Sequence, residues 1–258
     1  MQYNAIVTNV KDITKEIKLF SIKFKDNHKL NFKAGQFAVL ALPKDENDLD
    51  GEWYRRAYSI TSIPEEAELK FYVVLVSNGS LTPKLFKLNI GDDIYLGEKA
   101  AGLINFDTTD KTSNLLFIST GTGIAPFISI LRGYKNDIFN NKRQVALIHG
   151  ARFTYELGFK GELEDLEKTY NNFKYYPIIS RSEDETGVLW NGLKGHAQLV
   201  IKDGLINKQF NTELLPDNTK VFLCGNPNMV DECVTLFTEK GFIKNTFKVK
   251  GNLFFDKH

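Results

Sequence analysis

Near residue 105 the chain changes its rhythm, and that change limits the folds open to it more than any other feature. Before it, residues of opposite faces alternate: Phe71, Val73 and Leu75 interleave with Tyr72, Val74 and Val76, the period-two pattern of a sheet strand. Similar runs occupy residues 3–10, 17–24, 36–42, 57–61 and 93–97, punctuated by Asn-His, Ala-Gly, Ile-Pro and Asn-Gly elements. About six short strands with no long helical pattern predict an antiparallel β-barrel or sandwich. The acidic stretch 44–52 reads as a solvated loop.

After it, Leu115-Leu116-Phe117-Ile118 is continuously apolar, as a strand buried on both faces must be. A glycine-rich turn follows, then a helical pattern with Phe127, Ile128, Ile130, Leu131 and Tyr134 on one face. Residues 145–148, 175–179, 221–224 and 247–249 are further buried-strand candidates, and 161–169 and 228–240 are helix-like. Such alternation predicts an α/β doubly wound parallel sheet. The polar segment 105–114, rich in Thr and Asp, marks the boundary. The sequence therefore divides into a two-domain chain, residues 1–104 and 105–258, which its length accommodates.

Composition removes several classes. Lys and Arg number 33 against 32 Asp and Glu, a net charge of +1, which argues against a nucleic-acid binder. Two cysteines, Cys224 and Cys233, with no Cys/His cluster, exclude a disulfide framework, a metal site and a cysteine-held iron–sulfur cluster. The first twenty residues carry charges throughout, and no apolar run approaches the roughly 18 residues of a membrane span. A soluble, cytoplasmic protein without a membrane segment is expected.

Two constellations carry chemistry. Ser119-Thr120-Gly121-Thr122-Gly123-Ile124-Ala125-Pro126 joins a buried strand to a helix. Glycines there let backbone N–H groups approach a phosphate, and the helix N-terminus favours an anion. Pro126 stands where the dinucleotide fingerprint has its third glycine, so a tight packing turn is the competing reading. Arg56-Ala57-Tyr58-Ser59 offers a cation for phosphate, a flat ring and a hydroxyl, as a charged planar cofactor needs. By themselves the four residues equally describe a strand with an outward Arg and an inward Tyr.

Their order along the chain adds a resemblance. Arg56-x-Tyr58-Ser59, Asn78-Gly79-Ser80-Leu81-Thr82, Ala100-Ala101-Gly102, Gly121-Thr122-Gly123-Ile124-Ala125-Pro126 and Cys224-Gly225-Asn226-Pro227 follow one another as in the ferredoxin–NADP(+) reductase family. The pattern is most similar to bacterial members serving ferredoxin or flavodoxin, and runs from Ala34-Gly35-Gln36-Phe37 to the last residues. The resemblance implies an FAD barrel followed by an NADP(H)-binding domain whose C-terminal tail returns to the flavin. It implies hydride transfer from NADPH to flavin N5, then one-electron steps to an acidic carrier. Arg56 would face the FAD phosphates, Tyr58 would stack on the ring and Ser59 would approach its N5, with Ala57 also among the FAD-binding residues. Asn78, Gly79, Leu81 and Thr82 would meet the pyrophosphate-ribityl part. Thr120, Gly121, Thr122 and Gly123 would lie under the NADP pyrophosphate and Cys224 close to the nicotinamide, with Gly225 and Asn226 also among the NADP-binding residues.

Arg152 and Arg181 follow two successive strand ends, where open α/β sheets bind ligands, and Arg there suits a 2′-phosphate. The resemblance places both at such contacts and so implies NADP(H). Bacterial relatives carry a further Arg where this chain reads Trp190-Asn191-Gly192-Leu193-Lys194, and Lys194 is the substitute point charge. At the end, Asp256 matches the family's acidic position, which puts His258 at the flavin-stacking position, with Phe255 the competing stacker. Ser59, Cys224, Asp256 and His258 are thus the expected catalytic group.

The partners implied are acidic ferredoxins or flavodoxins, met by Lys84 and Lys87 and by Lys244, Lys248 and Lys250, with the chain a monomer. Two readings compete. An NAD(P)H-dependent flavin or oxygenase-system reductase would share this architecture, and a non-catalytic flavin- or nucleotide-binding module would bind without reducing.

Overall fold

In the computed structural model, which describes residues 1–140, 142–181 and 189–257, the period-two runs become six strands. They are β1 (Ala5–Thr14), β2 (Ile17–Phe24), β3 (Phe37–Pro43), β4 (Trp53–Ser59), β5 (Leu69–Val74) and β6 (Asp93–Leu96), with a single helical turn α1 (Thr82–Leu85) before β6. All pairings are antiparallel, in the order β4-β3-β6-β1-β2-β5. A bridge between Ile60 and Phe71 joins the two ends of that order, so the sheet curls into a barrel. Inward positions recur every second residue, and Phe20, Ile22, Phe24, Leu40, Phe71, Leu81 and Leu96 fill the interior. Two register shifts in β1, between Val7 and Asn9 and between Asp12 and Thr14, supply the added twist that closure needs.

The second pattern becomes β7 (Asn114–Thr120), α2 (Ala125–Gly133), α3 (Lys135–Phe139), β8 (Val145–Ala151), α4 (Lys160–Thr169), β9 (Phe173–Ile179) and β10 (Leu193–Lys194). It continues through α5 (Ala197–Lys202), α6 (Leu205–Phe210), β11 (Thr219–Gly225), α7 (Pro227–Glu239) and β12 (Leu253–Lys257). The six strands form a parallel sheet in the order β10-β9-β8-β7-β11-β12. Leu116, Ile118, Ala146, Ile148, Val221 and Leu223 pack from one face against Val200, Ile206, Val230, Cys233 and Phe237 of the covering helices. On the other face the rings of Phe127, Phe117, Phe222 and Phe254 run across α2, β7, β11 and β12, with successive centroids 5.1, 4.9 and 4.7 Å apart. Each such pair adds about 1 kcal/mol to the area it buries. By contacts the chain groups into Met1–Gly102 with Ile128–Gly133, and Leu103–Phe127 with Tyr134–His258.

One expected strand is corrected. Residues 247–249 are not in the sheet: Phe247 is 89% exposed, and the buried strand is β12. Phe-Lys-Val-Lys imitates strand alternation, but the continuous apolar run that a parallel sheet demands is Leu253-Phe254-Phe255. No helix among the described residues is long and apolar enough to cross a membrane.

Candidate active site

In the barrel unit the Arg56-Ala57-Tyr58-Ser59 motif lies on β4, a strand with an unusual exposure. Arg55, Arg56 and Ala57 are exposed in succession, so neither face of β4 is covered there. Among the described residues β4 pairs with β3 alone, leaving its other edge unladdered until the Ile60–Phe71 bridge. An open edge with no alternation is a surface that sheet packing does not explain. Tyr58 is half-buried against the barrel core. Burial pushes its phenol up to about 12, the neighbouring Arg56 pulling the other way, so the ring stays neutral. Arg56 donates from one guanidinium nitrogen to the Arg55 carbonyl at 2.8 Å, and Ser59 lies opposite Phe37.

The Asn78–Thr82 motif is the turn entering α1. Gly79 N–H donates to the Val76 carbonyl at 2.8 Å. The Thr82 hydroxyl accepts from Val76 N–H at 3.0 Å and donates to Val76 O at 3.1 Å, so it is committed to the turn. Leu81 is a core side chain, while Asn78 is exposed. What this turn offers a ligand is therefore backbone: among the described residues the N–H groups of Ser80, Leu81 and Thr82 have no protein acceptor. Ala101 exchanges two backbone hydrogen bonds with Phe37, at 2.8 and 3.0 Å, fixing the next motif against β3.

In the parallel unit β7 lies between β8 and β11, so the chain leaves it first to one side of the sheet and later to the other. Ligands bind at the carboxyl ends of strands at such a switch point. Here stands the turn Gly121–Ile124, joined to β11 as closely as backbones allow. A Cβ on Gly123 would strike the Cys224 carbonyl, and one on Gly225, at φ +130°, would strike Thr120. Asn226 N–H donates to Thr120 Oγ1 at 2.8 Å. Beside Gly121 there is room, with nothing within 4 Å of where its Cβ would be. The turn is a short 3-10 helix, and the Thr122 N–H in its open first turn has no acceptor among the described residues. Asn226 and Pro227 also cap α7, the Asn226 side chain accepting from Asn228 N–H at 2.9 Å with proline in the first turn.

Cys224 is fully buried, in register with Ser119 on one side and Asp256 on the other. Burial first, then the Asp256 carboxylate, pushes its thiol well above the ordinary range, so it is a neutral group. Asp256 is half-buried on β12 and accepts from Lys257 N–H at 2.9 Å. Phe255 packs against this unit's own core. His258 lies outside the described residues.

The two arginines come together at the same end of the sheet. Arg181 N–H donates to Arg152 O at 2.9 Å, and the Arg181 guanidinium lies 5.5 Å from the centre of the Phe153 ring, which stacks on Tyr155. Sequence reasoning missed the partner of the first. Glu156, 8% exposed, accepts from Arg152 Nε at 2.8 Å and pairs with its Nη2, while its second oxygen takes Arg152 N–H at 2.9 Å and Phe153 N–H at 3.3 Å. The i, i+4 spacing was the only signal for that pair. Lys194 is exposed on β10, opposite Ile179. His149 was also passed over. It is fully buried in β8, its Nε2 3.2 Å from Gly121 O and its Nδ1 3.3 Å from Tyr175 Oη. A lone polar residue inside an apolar strand was the available clue.

Of the lysines, Lys84 pairs with Glu46 at 3.4 Å and Lys250 with Asp107 at 3.2 Å, while Lys87, Lys244 and Lys248 are exposed.

Residues 4–97 match the model of the oxidoreductase FAD-binding domain, and residues 117–235 that of the oxidoreductase NAD-binding domain. The flavodoxin/ferredoxin–NADP reductase of Buchnera aphidicola subsp. Schizaphis graminum is 34% identical over 214 residues, covering 81% of this chain and 80% of its own. That of Escherichia coli K12 is also 34% identical, over 78% of this chain and 77% of its own. This chain belongs to the flavodoxin/ferredoxin–NADP reductase family. Among solved structures, a ferredoxin NADP+ reductase from Neisseria gonorrhoeae with bound FAD and NADP superposes with a TM-score of 0.83 at 27% identity, covering 98% of this chain and 97% of that one. A ferredoxin reductase of a carbazole dioxygenase system, at 22% identity and a TM-score of 0.74, shares the fold.

The residues of this family member fit the cofactors of its two domains. Each unit holds a turn with an unclaimed backbone donor and has arginine on or just after a strand: Arg56 on β4 in the barrel, Arg152 and Arg181 after β8 and β9 in the sheet. Backbone donors with a guanidinium are the elements of a diphosphate seat.

Proposed function

We propose that this chain is an FAD-dependent oxidoreductase that moves electrons between NADP(H) and a ferredoxin or flavodoxin. The barrel, residues 1–104, holds FAD, and residues 105–258 hold NADP(H). The observation that carries this reading is the pair of diphosphate seats, one in each unit, built from backbone donors and arginine. Bound FAD supplies two-electron acceptance from a nicotinamide and release of electrons one at a time; the protein supplies orientation and charge.

The chain's residues then have separate tasks. Tyr58, held neutral, gives the flavin a flat face, Arg56 a cation for its phosphates, and the 80–82 amides a second anchor. The open edge of β4 is where an isoalloxazine can lie without displacing a ladder partner. Thr120 to Gly123 take the NADP pyrophosphate, and Arg152 and Arg181 take the 2′-phosphate. The pairing of Arg152 with Glu156 leaves part of its charge spoken for, while Arg181 and Lys194 have no carboxylate partner among the described residues. Cys224, as a neutral thiol, positions the nicotinamide without forming a bond to it. Ser59, Asp256 and His258 complete the group assigned to the reacting rings.

The carrier is an acidic protein. In the parallel unit the exposed Lys244 and Lys248, with the exposed Phe247 between them, combine basic charge with an apolar anchor, the composition of a docking surface, and in the barrel unit Lys87 is an exposed cation. A monomer in the cytoplasm is the simplest state for a shuttle between soluble donors and acceptors.

Steady-state assays with NADPH and purified ferredoxin and flavodoxin test the reading. Reduction of at least one carrier, falling steeply between low and physiological ionic strength, is expected. Activity towards free flavin alone, with neither carrier reduced, would move the chain to the flavin reductases.

A further inference from the structure

β8 is an apolar strand with one exception. Val145, Ala146, Leu147 and Ile148 are all fully buried, and so is His149. Burying an imidazole is costly unless both ring nitrogens find partners, and both do. The Gly121 carbonyl can only accept, so Nε2 carries the proton and donates to it. The neutral ring then has Nδ1 as an acceptor, and the Tyr175 hydroxyl of β9 donates to it. Burial drives the imidazole down to about 4, so the ring stays neutral through the physiological range and its two partners set the tautomer.

The far end of the relay matters most. Gly121 C=O and Thr122 N–H belong to one peptide unit, and in a planar trans peptide they point in opposite directions. A bond that draws the carbonyl inward to His149 therefore turns the Thr122 N–H outward, and that N–H has no acceptor among the described residues. Gly121, at φ +53°, has open space where a side chain would stand, and besides His149 its peptide is held by the 3-10 turn that it opens.

We propose that His149, backed by Tyr175, is a positioning residue that fixes the 121–122 peptide so that the loop presents its donors to the nucleotide pyrophosphate. This rests on the NADP(H) assignment above. His149 touches no ligand itself and acts through the Gly121 carbonyl.

Calorimetric binding of NADP+ to FAD-loaded protein, read beside the flavin spectrum and the melting temperature, tests it with His149→Phe, His149→Gln and Tyr175→Phe. His149→Phe should weaken NADP+ about tenfold, with flavin content and spectrum unchanged. His149→Gln, whose amide nitrogen reaches the position of Nε2, should stay within about threefold of wild type, and Tyr175→Phe should fall between the two. Wild-type affinity in His149→Phe, or equal weakening in the Phe and Gln variants with unchanged melting, would overturn the proposal. If His149→Phe does not fold, wild-type affinity in Tyr175→Phe overturns it. Failure of the unmodified protein to bind NADP+ would instead sink the functional assignment and leave the relay a packing feature.

Discussion

Asn226 N–H donates to Thr120 Oγ1 over 2.8 Å, fastening the carboxyl ends of β11 and β7 to each other at the point where the sheet changes winding direction. The fastening works because Gly225, between Cys224 and Asn226, takes φ +130° and lets Thr120 come into the space of a side chain. Gly225→Ala meets both the dihedral penalty and the clash, so it should cost about 3 kcal/mol in urea denaturation and remove NADP+ binding. Thr120→Ser, which keeps the acceptor, should bind as wild type. Normal binding by Gly225→Ala would show that the junction has no role.

Arg152 pairs with Glu156, and the proposed function gives it a second duty to the nucleotide. Arg152→Ala should lower kcat/KM for NADPH at least about tenfold and for NADH less than about threefold, because only NADPH has the 2′-phosphate. Arg152→Lys should be intermediate, having charge but no fork. Equal losses with the two cofactors would remove the assignment.

Both cysteines should be inert in the folded protein. Burial pushes Cys233 up to about 12 and Cys224 well above its ordinary range, so almost no thiolate exists at neutral pH. A chromogenic disulfide reagent should find no thiol before denaturation and two after it. Rapid labelling of the native chain at Cys224 would contradict the neutral, positional role.

The two-part architecture was legible because it is written in periodicity. Six antiparallel strands and a parallel sheet follow from spacing alone, yet the barrel order β4-β3-β6-β1-β2-β5 does not, since β1 meets β6 across some ninety residues of chain. The fourth strand was expected at 57–61 and lies at Trp53–Ser59, because alternation is read from a buried face and β4 has none over Arg55, Arg56 and Ala57. The same exposure is what the proposed function reads as a cofactor edge. Residues 247–249 misled in the opposite sense, alternating Lys with apolar residues in an exposed loop. Arg152 and Arg181 could be found as strand-end cations, but Glu156 and the His149 relay could not. His149 meets Gly121 and Tyr175 only after three separate segments are brought side by side.

Acid should unmask His149. Unfolded, its imidazole takes a proton near 6.5; folded, near 4. Between those values the unfolded state binds the extra proton, so stability falls as pH drops from about 6.5 toward 4, by up to about 3 kcal/mol. Urea denaturation from pH 7 to 4 should show a shallower loss in His149→Gln than in wild type. Asp107, held near 2 by Thr109, and Asp110, held lower still by Lys220 and Ser113, lose their contributions only below about pH 4, outside this window. Parallel slopes for the two proteins would contradict a buried neutral imidazole.

Anaerobic titration of the purified protein with NADPH, followed by visible absorbance, tests the central claim most directly. The protein should be yellow as isolated or after FAD is added, and about one equivalent of NADPH per chain should bleach it. Added ferredoxin or flavodoxin should then restore the colour. A protein that takes up no FAD, or one whose flavin NADPH leaves unbleached, would contradict the account.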